Sequence, residues 1–291
     1  MPLVGVVVPV RDRAGMVCEA IASVLAQTHH DFTLVVVDDG SSDGSAEAAE
    51  AALDGAPAGS RVLRQQARGV AAARNAGAAA VDSAWLAFLD SDDLWLPEKL
   101  AAQMAWLDAR SSYRIGQTGE RWIDDGRHRN PRGWHRKEEW LFPRCLERCL
   151  VSPSAVVIRR DLWEAVGGFD ASYPVCEDYE LWLRVALREP VGLVDEPLVV
   201  KRGGHADQLS RSTWGLDRWR VAALVKLLGS GVLDAGQRSA VLAVLRAKCA
   251  VLAKGAGRRG RADEAERYRS MAEVGARLAD ASMRYEEGTT T

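Results

Sequence analysis

The stretch AWLAFLDSDDLWLPEKL, residues 84–100, decides the fold. Trp85 to Leu89 is a short apolar run of the kind that fills a buried strand. It stops at Asp90-Ser91-Asp92-Asp93, three carboxylates within one turn of chain. A helix opened by Pro97 follows, proline being well suited to a first helical turn. Like charges this close raise one another's pKa unless something positive stands among them. The cluster is therefore either a solvated turn that caps the next helix or the seat of a cation.

Toward the N-terminus the same pattern recurs. VGVVVPV, residues 4–10, is a continuous β-branched run, as in a strand covered on both faces. Met16, Val17, Ala20, Ile21, Val24 and Leu25 then repeat with helical period. FTLVVVDDGSSDGS is a second buried strand ending in a polar turn, followed by an Ala- and Glu-rich helix over 45–53. A short strand near residues 61–63 precedes GVAAARNAGAAA, a composition suited to a helix packed closely on a sheet. Alternation of strand and helix to about Leu107 predicts an α/β fold, a Rossmann-like, mostly parallel sheet flanked by helices. Ligands of such sheets bind outside the carboxyl ends of the strands. Arg11-Asp12, Asp38-Asp39 and Asp90 to Asp93 all fall at those ends, so three strand exits point to one shared site.

Beyond this the reading is looser. From about Ser111 to Pro143 the periodicity breaks, and ERWIDDGRHRNPRGWHRKEEWLFPR is expected to form a long loop or loose hairpin over the site. SPSAVVIRRDLWEAVGGFD returns to a strand and a short helix ended by Gly167-Gly168. CEDYELWLRVAL is a helix with acids at its first turn, where the dipole favours them. VGLVDEPLVV is a further strand, with KRGGHADQLS as its exit loop. Three helices, over 216–228, 237–253 and 262–278, lead to a frayed tail. Residues 1–210 are thus expected to make an α/β domain and 211–291 a helical extension.

Composition excludes several classes. Lys+Arg 38 against Asp+Glu 40 leaves a net charge of -2, so no global field recruits nucleic acid or an acidic membrane. No apolar run is long enough to span a bilayer and no secretory leader pattern opens the chain, so a cytoplasmic protein, at most peripheral at the membrane's inner face, is expected. The five cysteines show no paired spacing and read as reduced thiols. A dinucleotide oxidoreductase is excluded because no Gly-x-Gly-x-x-Gly follows the first strand.

The carboxylates suggest chemistry, each against a plainer alternative. Oxygen ligands suit a hard cation such as Mg²⁺ or Mn²⁺. Asp39 could accept hydrogen bonds from a base or ribose, or simply cap its turn. Arg74 offers a planar fork for phosphate, or an ion pair with a nearby aspartate. Glu177-Asp178 at a helix N-terminus is poised as a base, or is ordinary capping. His205, in a Gly-Gly-His turn, is a metal ligand or merely exposed. Trp134 and Trp140, among basic residues, offer stacking faces for a ligand or belong to a solvated, loosely packed loop.

Together VVVPVRDR, AIASVLAQTHHDFTLVVVDDGSSDGS, GVAAARNAGAAA, WLAFLDSDDLWLPEKL and GGFDASYPVCEDYELWLRV stand in the order and spacing of family 2 glycosyltransferases, which the chain resembles to about Ser210. The resemblance implies the A-type glycosyltransferase fold and inverting transfer from a nucleotide-diphospho-sugar, by default a UDP-sugar, to a carbohydrate or glycolipid acceptor. It implies that Asp39 contacts the base, with Pro9 and Arg11 at the pocket rim, and that Arg74 flanks base and diphosphate. Asp90 and Asp92 resemble the aspartate-any-aspartate motif that covers ribose and a divalent cation, Mn²⁺ or Mg²⁺. Metal ligands are then expected among Asp92, Asp93 and His205. Asp178 resembles the general base, and Glu177, Trp134 and Trp140 are expected at the acceptor. The chain departs from relatives at Val10-Arg11-Asp12, where an aromatic and an Asn are common. The competing classes are a nucleotidyltransferase, which would carry a Gly-rich phosphate loop after the first strand, and a non-catalytic sugar- or nucleotide-binding module.

Overall fold

The computed structural model describes residues 4–124, 126–129, 137–139, 141–204 and 215–273. Strand and helix alternate from the start: β1 (Val4–Val10), α1 (Ala14–Leu25), β2 (Phe32–Asp38), α2 (Ser45–Ala52), β3 (Arg61–Arg64), α3 (Val70–Ala80), β4 (Trp85–Phe88), β5 (Leu94–Trp95) and α4 (Lys99–Asp108). Then come β6 (Ile115–Asp124), β7 (Arg127–Arg129), α5 (Phe142–Cys145), β8 (Val156–Arg159), α6 (Arg160–Val166), α7 (Glu177–Arg188), β9 (Gly192–Gly203), α8 (Leu216–Leu228) and α9 (Ala235–Arg258).

One nine-stranded sheet runs β3-β2-β1-β4-β8-β6-β9-β5, with β7 hanging from β6. Neighbours β3, β2, β1 and β4 are parallel. β8 is antiparallel to both β4 and β6, and β6 is parallel to β9. Six of the strands therefore point one way, and their carboxyl ends share one edge. Every residue of β1 and β2 is buried, as their unbroken β-branched runs require.

Helices cover both faces and divide the core in two. One half lies between the sheet and α1, with Val6, Val8, Ile21 and Leu100 in it. The other, built on Val7, Val35, Phe88 and Trp182, continues through α7 into α8 and α9. α3 rides very close to the sheet: a Cβ added at Gly77 would stand 2.3 Å from Val7 Cγ1.

One expectation is overturned. Most of the segment expected as an irregular loop before residue 125 is β6, a ten-residue strand inside the sheet. Its sequence, IGQTGERWID, carries neither an apolar run nor clean alternation. Gln117 and Thr118 are fully buried nonetheless. The pairing with β9 shifts register on both sides of Gly119, a bulge of the kind that re-aims side chains beside active sites. β9 likewise runs past its expected end, so Lys201 and Arg202 belong to a strand rather than to an exit loop.

Candidate active site

A cleft of about 1030 Å³ opens along the edge where the parallel strands end. Its first wall is made of the exits of β1, β2 and β4. After β1, Asp12 takes a positive φ of 50°, and its Oδ1 accepts from the Ser42 N–H at 2.7 Å and the Ser42 hydroxyl at 3.1 Å. That latch joins the turns after β1 and β2. Asp39, buried at the end of β2, accepts from Gln65 Nε2 at 2.7 Å and from the N–H groups of Arg68 and Gly69 at 2.8 Å each. The carboxylate thereby shapes the loop that enters α3.

Arg74 of α3 is buried and reaches two ways. Its Nη2 pairs with Asp90 at 2.6 Å and its Nη1 with Glu177 of α7 at 2.7 Å. One cation thus serves two carboxylates from opposite walls. Burial opposes ionisation of Asp90, but Arg74, with Lys201 behind it, holds the carboxyl below its usual range. Burial, together with the adjacent Asp178 charge, pushes Glu177 up to about 7 despite Arg74.

Asp92 pairs with Arg13 at 2.7 Å. Asp93 turns inward and is 2 % exposed. It accepts from the Ser154 hydroxyl at 2.6 Å and the Arg202 N–H at 3.2 Å, with Lys201 Nζ at 3.4 Å. Burial pushes its carboxyl up to about 7. One oxygen each from Asp90, Asp92 and Asp93 falls within 4.8 Å of the others, an all-oxygen set that fits a hard divalent cation. Asp90 and Asp92 line the cleft, on its open side.

The second wall comes from α7, α8 and the polar ends of β6 and β9. Asp178 opens α7; its Oδ1 accepts from the Tyr179 N–H at 2.7 Å and its Oδ2 from the Cys149 thiol at 3.4 Å. Glu120 of β6 pairs with Lys137 at 3.1 Å. Burial would raise the Glu120 carboxyl, but Lys137 and Lys201 overcome it and draw it down to about 2. Trp219 and Arg220 of α8 complete this wall.

A sequence model described as glycosyl transferase family 2 matches residues 5–165, more than half of the chain. The chain belongs to that family. An uncharacterized glycosyltransferase of Rickettsia felis is 29% identical over 196 residues, which are 67% of this family 2 chain and 32% of the relative. The chain thus spans about a third of the length of the first curated relatives it matches. The O-antigen biosynthesis protein RfbC of Myxococcus xanthus is 30% identical over 74% of this chain and 17% of its own length. Among solved structures, S. aureus TarS 1-349 in complex with UDP-GlcNAc superposes with a TM-score of 0.70 at 17% identity, covering 95% of this chain and 92% of TarS 1-349. The mannosyltransferase PcManGT of Pyrobaculum calidifontis, in complex with GDP-Man and Mn²⁺, gives 0.59 at 20% identity over 97% of this chain and 86% of its own. These likenesses establish the A-type glycosyltransferase fold.

In this family 2 chain, Pro9, Arg11, Asp39, Arg74, Asp90, Asp92, Glu177 and Asp178 all line the one cleft. Asp93 lies beneath it. Trp134, Trp140 and His205 lie outside the described residues. The sequence reading missed Arg13, Glu120, Lys137, Cys149, Lys201, Trp219 and Arg220, all on the same cleft. The strand-end rule would have found Glu120 and Lys201 had β6 and the full length of β9 been recognised. Trp219 and Arg220 carry no signal of their own on an amphipathic helix. No helix among the described residues is long and apolar enough to cross a membrane.

Proposed function

We propose that the chain is an inverting glycosyltransferase that moves a sugar from a nucleotide-diphospho-sugar to a hydroxyl of a saccharide or glycolipid acceptor. One observation carries the reading: Asp178, on the helical wall, opens into the same cleft as Asp39, Asp90 and Asp92 on the strand wall. A base and a diphosphate seat on opposite sides of one space are what in-line displacement at an anomeric carbon needs.

In this reading Pro9, Arg11 and Asp39 face the nucleoside, and Asp90 faces the ribose. Asp92 and Asp93, with His205 as a further candidate, would hold a Mg²⁺ or Mn²⁺ ion, whose chemistry there would be to offset negative charge on the diphosphate. Asp178 accepts the proton of the attacking hydroxyl as its oxygen bonds to the anomeric carbon and the bond to the diphosphate breaks. Attack opposite the leaving group inverts the centre without a covalent enzyme intermediate. Arg74 orients Asp90 and Glu177 across the cleft. Trp134, Trp140 and Glu177 are assigned to the acceptor side. The complexes that TarS forms with UDP-GlcNAc and PcManGT with GDP-Man support a nucleotide-sugar donor, with UDP the first choice.

The test has two parts. Melting temperature with UDP, GDP, dTDP or CDP, each with and without Mn²⁺, should rise for one of them, and rise more with the ion. Asp178→Asn should lower transfer by about a hundred- to ten-thousand-fold while nucleotide binding is kept. No response to any nucleotide, or a fully active Asp178→Asn, defeats the proposal.

A further inference from the structure

α8 brings to the cleft an arginine whose one carboxylate partner is shared with a second cation. Asp217 is held by Arg220 Nη1 at 3.0 Å and by Lys248 Nζ at 3.1 Å, so one carboxylate serves two cations. Among the described residues Asp217 is the sole ion-pair partner of Arg220. Among the described residues the buried Arg220 Nε–H has no acceptor. A buried charged donor left unpaired is costly, so the arrangement is expected to be completed by something else.

The groups around Arg220 do not supply the counter-charge. Burial, then the charge of Asp178, pushes the Cys176 thiol up to about 12. The same two causes, in that order, raise Cys149 well above its ordinary value. Both therefore face the cleft as neutral thiols. The Tyr179 ring lies 6.0 Å from the Arg220 guanidinium carbon, and its hydroxyl already donates to the Leu146 carbonyl at 2.6 Å. Asp178, the next carboxylate along the wall, makes no ion pair with Arg220 among the described residues; its oxygens accept from Cys149 and from the Tyr179 N–H. The N-terminal end of α8, at Leu216 on the cleft, adds further positive potential.

Beside Arg220 stands an aromatic corner. The Tyr173 and Trp219 rings are 5.8 Å apart between centroids, tilted by 59°, and both line the cleft. Aromatic faces of this kind receive the apolar face of a sugar ring. A guanidinium offers a fork of parallel N–H groups that matches carboxylate and phosphate oxygens.

We propose that Arg220, next to the Tyr173–Trp219 corner, is the specificity determinant for an acceptor saccharide that carries an oxyanion, a carboxylate or a phosphate ester, near the hydroxyl to be glycosylated. The inference rests on the glycosyl-transfer reading, because that reading makes this wall the acceptor side. A neutral acceptor would fill the same corner and leave the Arg220 Nε–H unmatched. A charged one would engage it and restore local neutrality.

The probes are methyl β-glucoside, methyl β-glucuronide and methyl β-glucoside 6-phosphate, titrated by calorimetry into the full chain in the presence of UDP and Mn²⁺. At least one charged probe should bind about tenfold tighter than the neutral one, the ratio expected of one charge-assisted contact. Preference for the glucuronide assigns a carboxylate, preference for the phosphate a phosphate ester. Arg220→Gln should erase the preference and leave UDP binding within about twofold. Arg220→Lys should keep part of it, because a charge without the fork remains. Should Arg220→Gln fail to fold, Asp217→Asn gives the same test in the opposite direction, since releasing two cations from one carboxylate should strengthen the preference. Equal binding of charged and neutral probes, binding of neither, or a preference that survives Arg220→Gln overturns the proposal. If the charge preference is present but UDP does not bind, the anion site stands and the glycosyl-transfer reading falls.

Discussion

On one side of the cleft stand the exits of β1, β2 and β4; on the other stand the first turns of α7 and α8. The strand wall rests on close apolar packing, since every residue of β1 and β2 is buried and α3 approaches at the distance of a missing Cβ. The helical wall, also packed on an apolar core, is tied together at its surface by ions. Lys226 of α8 reaches Asp170, just before α7, and Glu180 within it, each at 2.7 Å, and Lys248 of α9 reaches Asp217. A rigid strand wall suits a cleft that must present carboxylates at fixed spacing. An ion-tied helical wall allows polar side chains to vary without disturbing the sheet.

Arg74 is the strut between them, and its removal should have the largest effect on stability. Arg74→Met leaves Asp90 and Glu177 without their shared cation, both largely buried, and breaking such a pair costs about 3–5 kcal/mol. Glu177→Gln should cost less, about 1 kcal/mol, because burial and the Asp178 charge already push the Glu177 carboxyl toward its neutral form and a neutral amide oxygen can still accept from Arg74. Urea unfolding of the two variants checks this. Equal losses would mean that Arg74 serves both carboxylates as full charges.

The same contrast explains what could be read from the amino-acid order. The strand wall was legible because its strands are unbroken apolar runs and its carboxylates follow them directly. Asp39, Asp90 and Asp92 were found by that adjacency alone. β6 was not legible. Its Gln117 and Thr118 are buried by neighbours distant in sequence, so the polar residues of a central strand look like those of a loop. Trp219 and Arg220 were passed over for a related reason. On a helix, a residue facing a cleft and one facing solvent follow the same period, and only tertiary packing separates them. Arg74 was read as a fork for phosphate or as the partner of a nearby aspartate; the second alternative holds at Asp90, sixteen residues away, while Glu177, 103 residues away, required the fold.

The packing of the strand wall can be probed at Gly77. In Gly77→Ala the new methyl would meet Val7 Cγ1 at 2.3 Å and Val37 Cγ2 at 3.1 Å, both on fully buried strands that cannot easily move. Overpacking of this kind costs about 1–3 kcal/mol, against the ~1 kcal/mol that alanine gains over glycine in a helix. A net loss is expected, and it should be the same at every pH where the protein is folded, since no titrating group is involved. A Gly77→Ala variant as stable as the parent would show that α3 can lift off the sheet.

The ionic ties of the helical wall predict the opposite dependence on pH, with a smaller size. Burial alone would raise the Asp170 carboxyl, but Lys226 and the Ser172 hydroxyl and N–H overcome it and carry it down to about 2. The folded value therefore lies below the unfolded one, near 3.8. With that sign the contribution is fully present above about pH 4 and is lost as pH falls toward 2. Asp170 and Lys226 are both partly exposed, so solvent screening limits the tie to about 0.5–1 kcal/mol. Asp170→Asn should lose that amount at pH 6, and the gap from the parent should close as pH falls below 3. A gap that stays constant across the same range would assign the effect of Asp170 to its hydrogen bonds with Ser172 rather than to charge. Both walls would then be held by forces indifferent to pH, and the contrast between them would disappear.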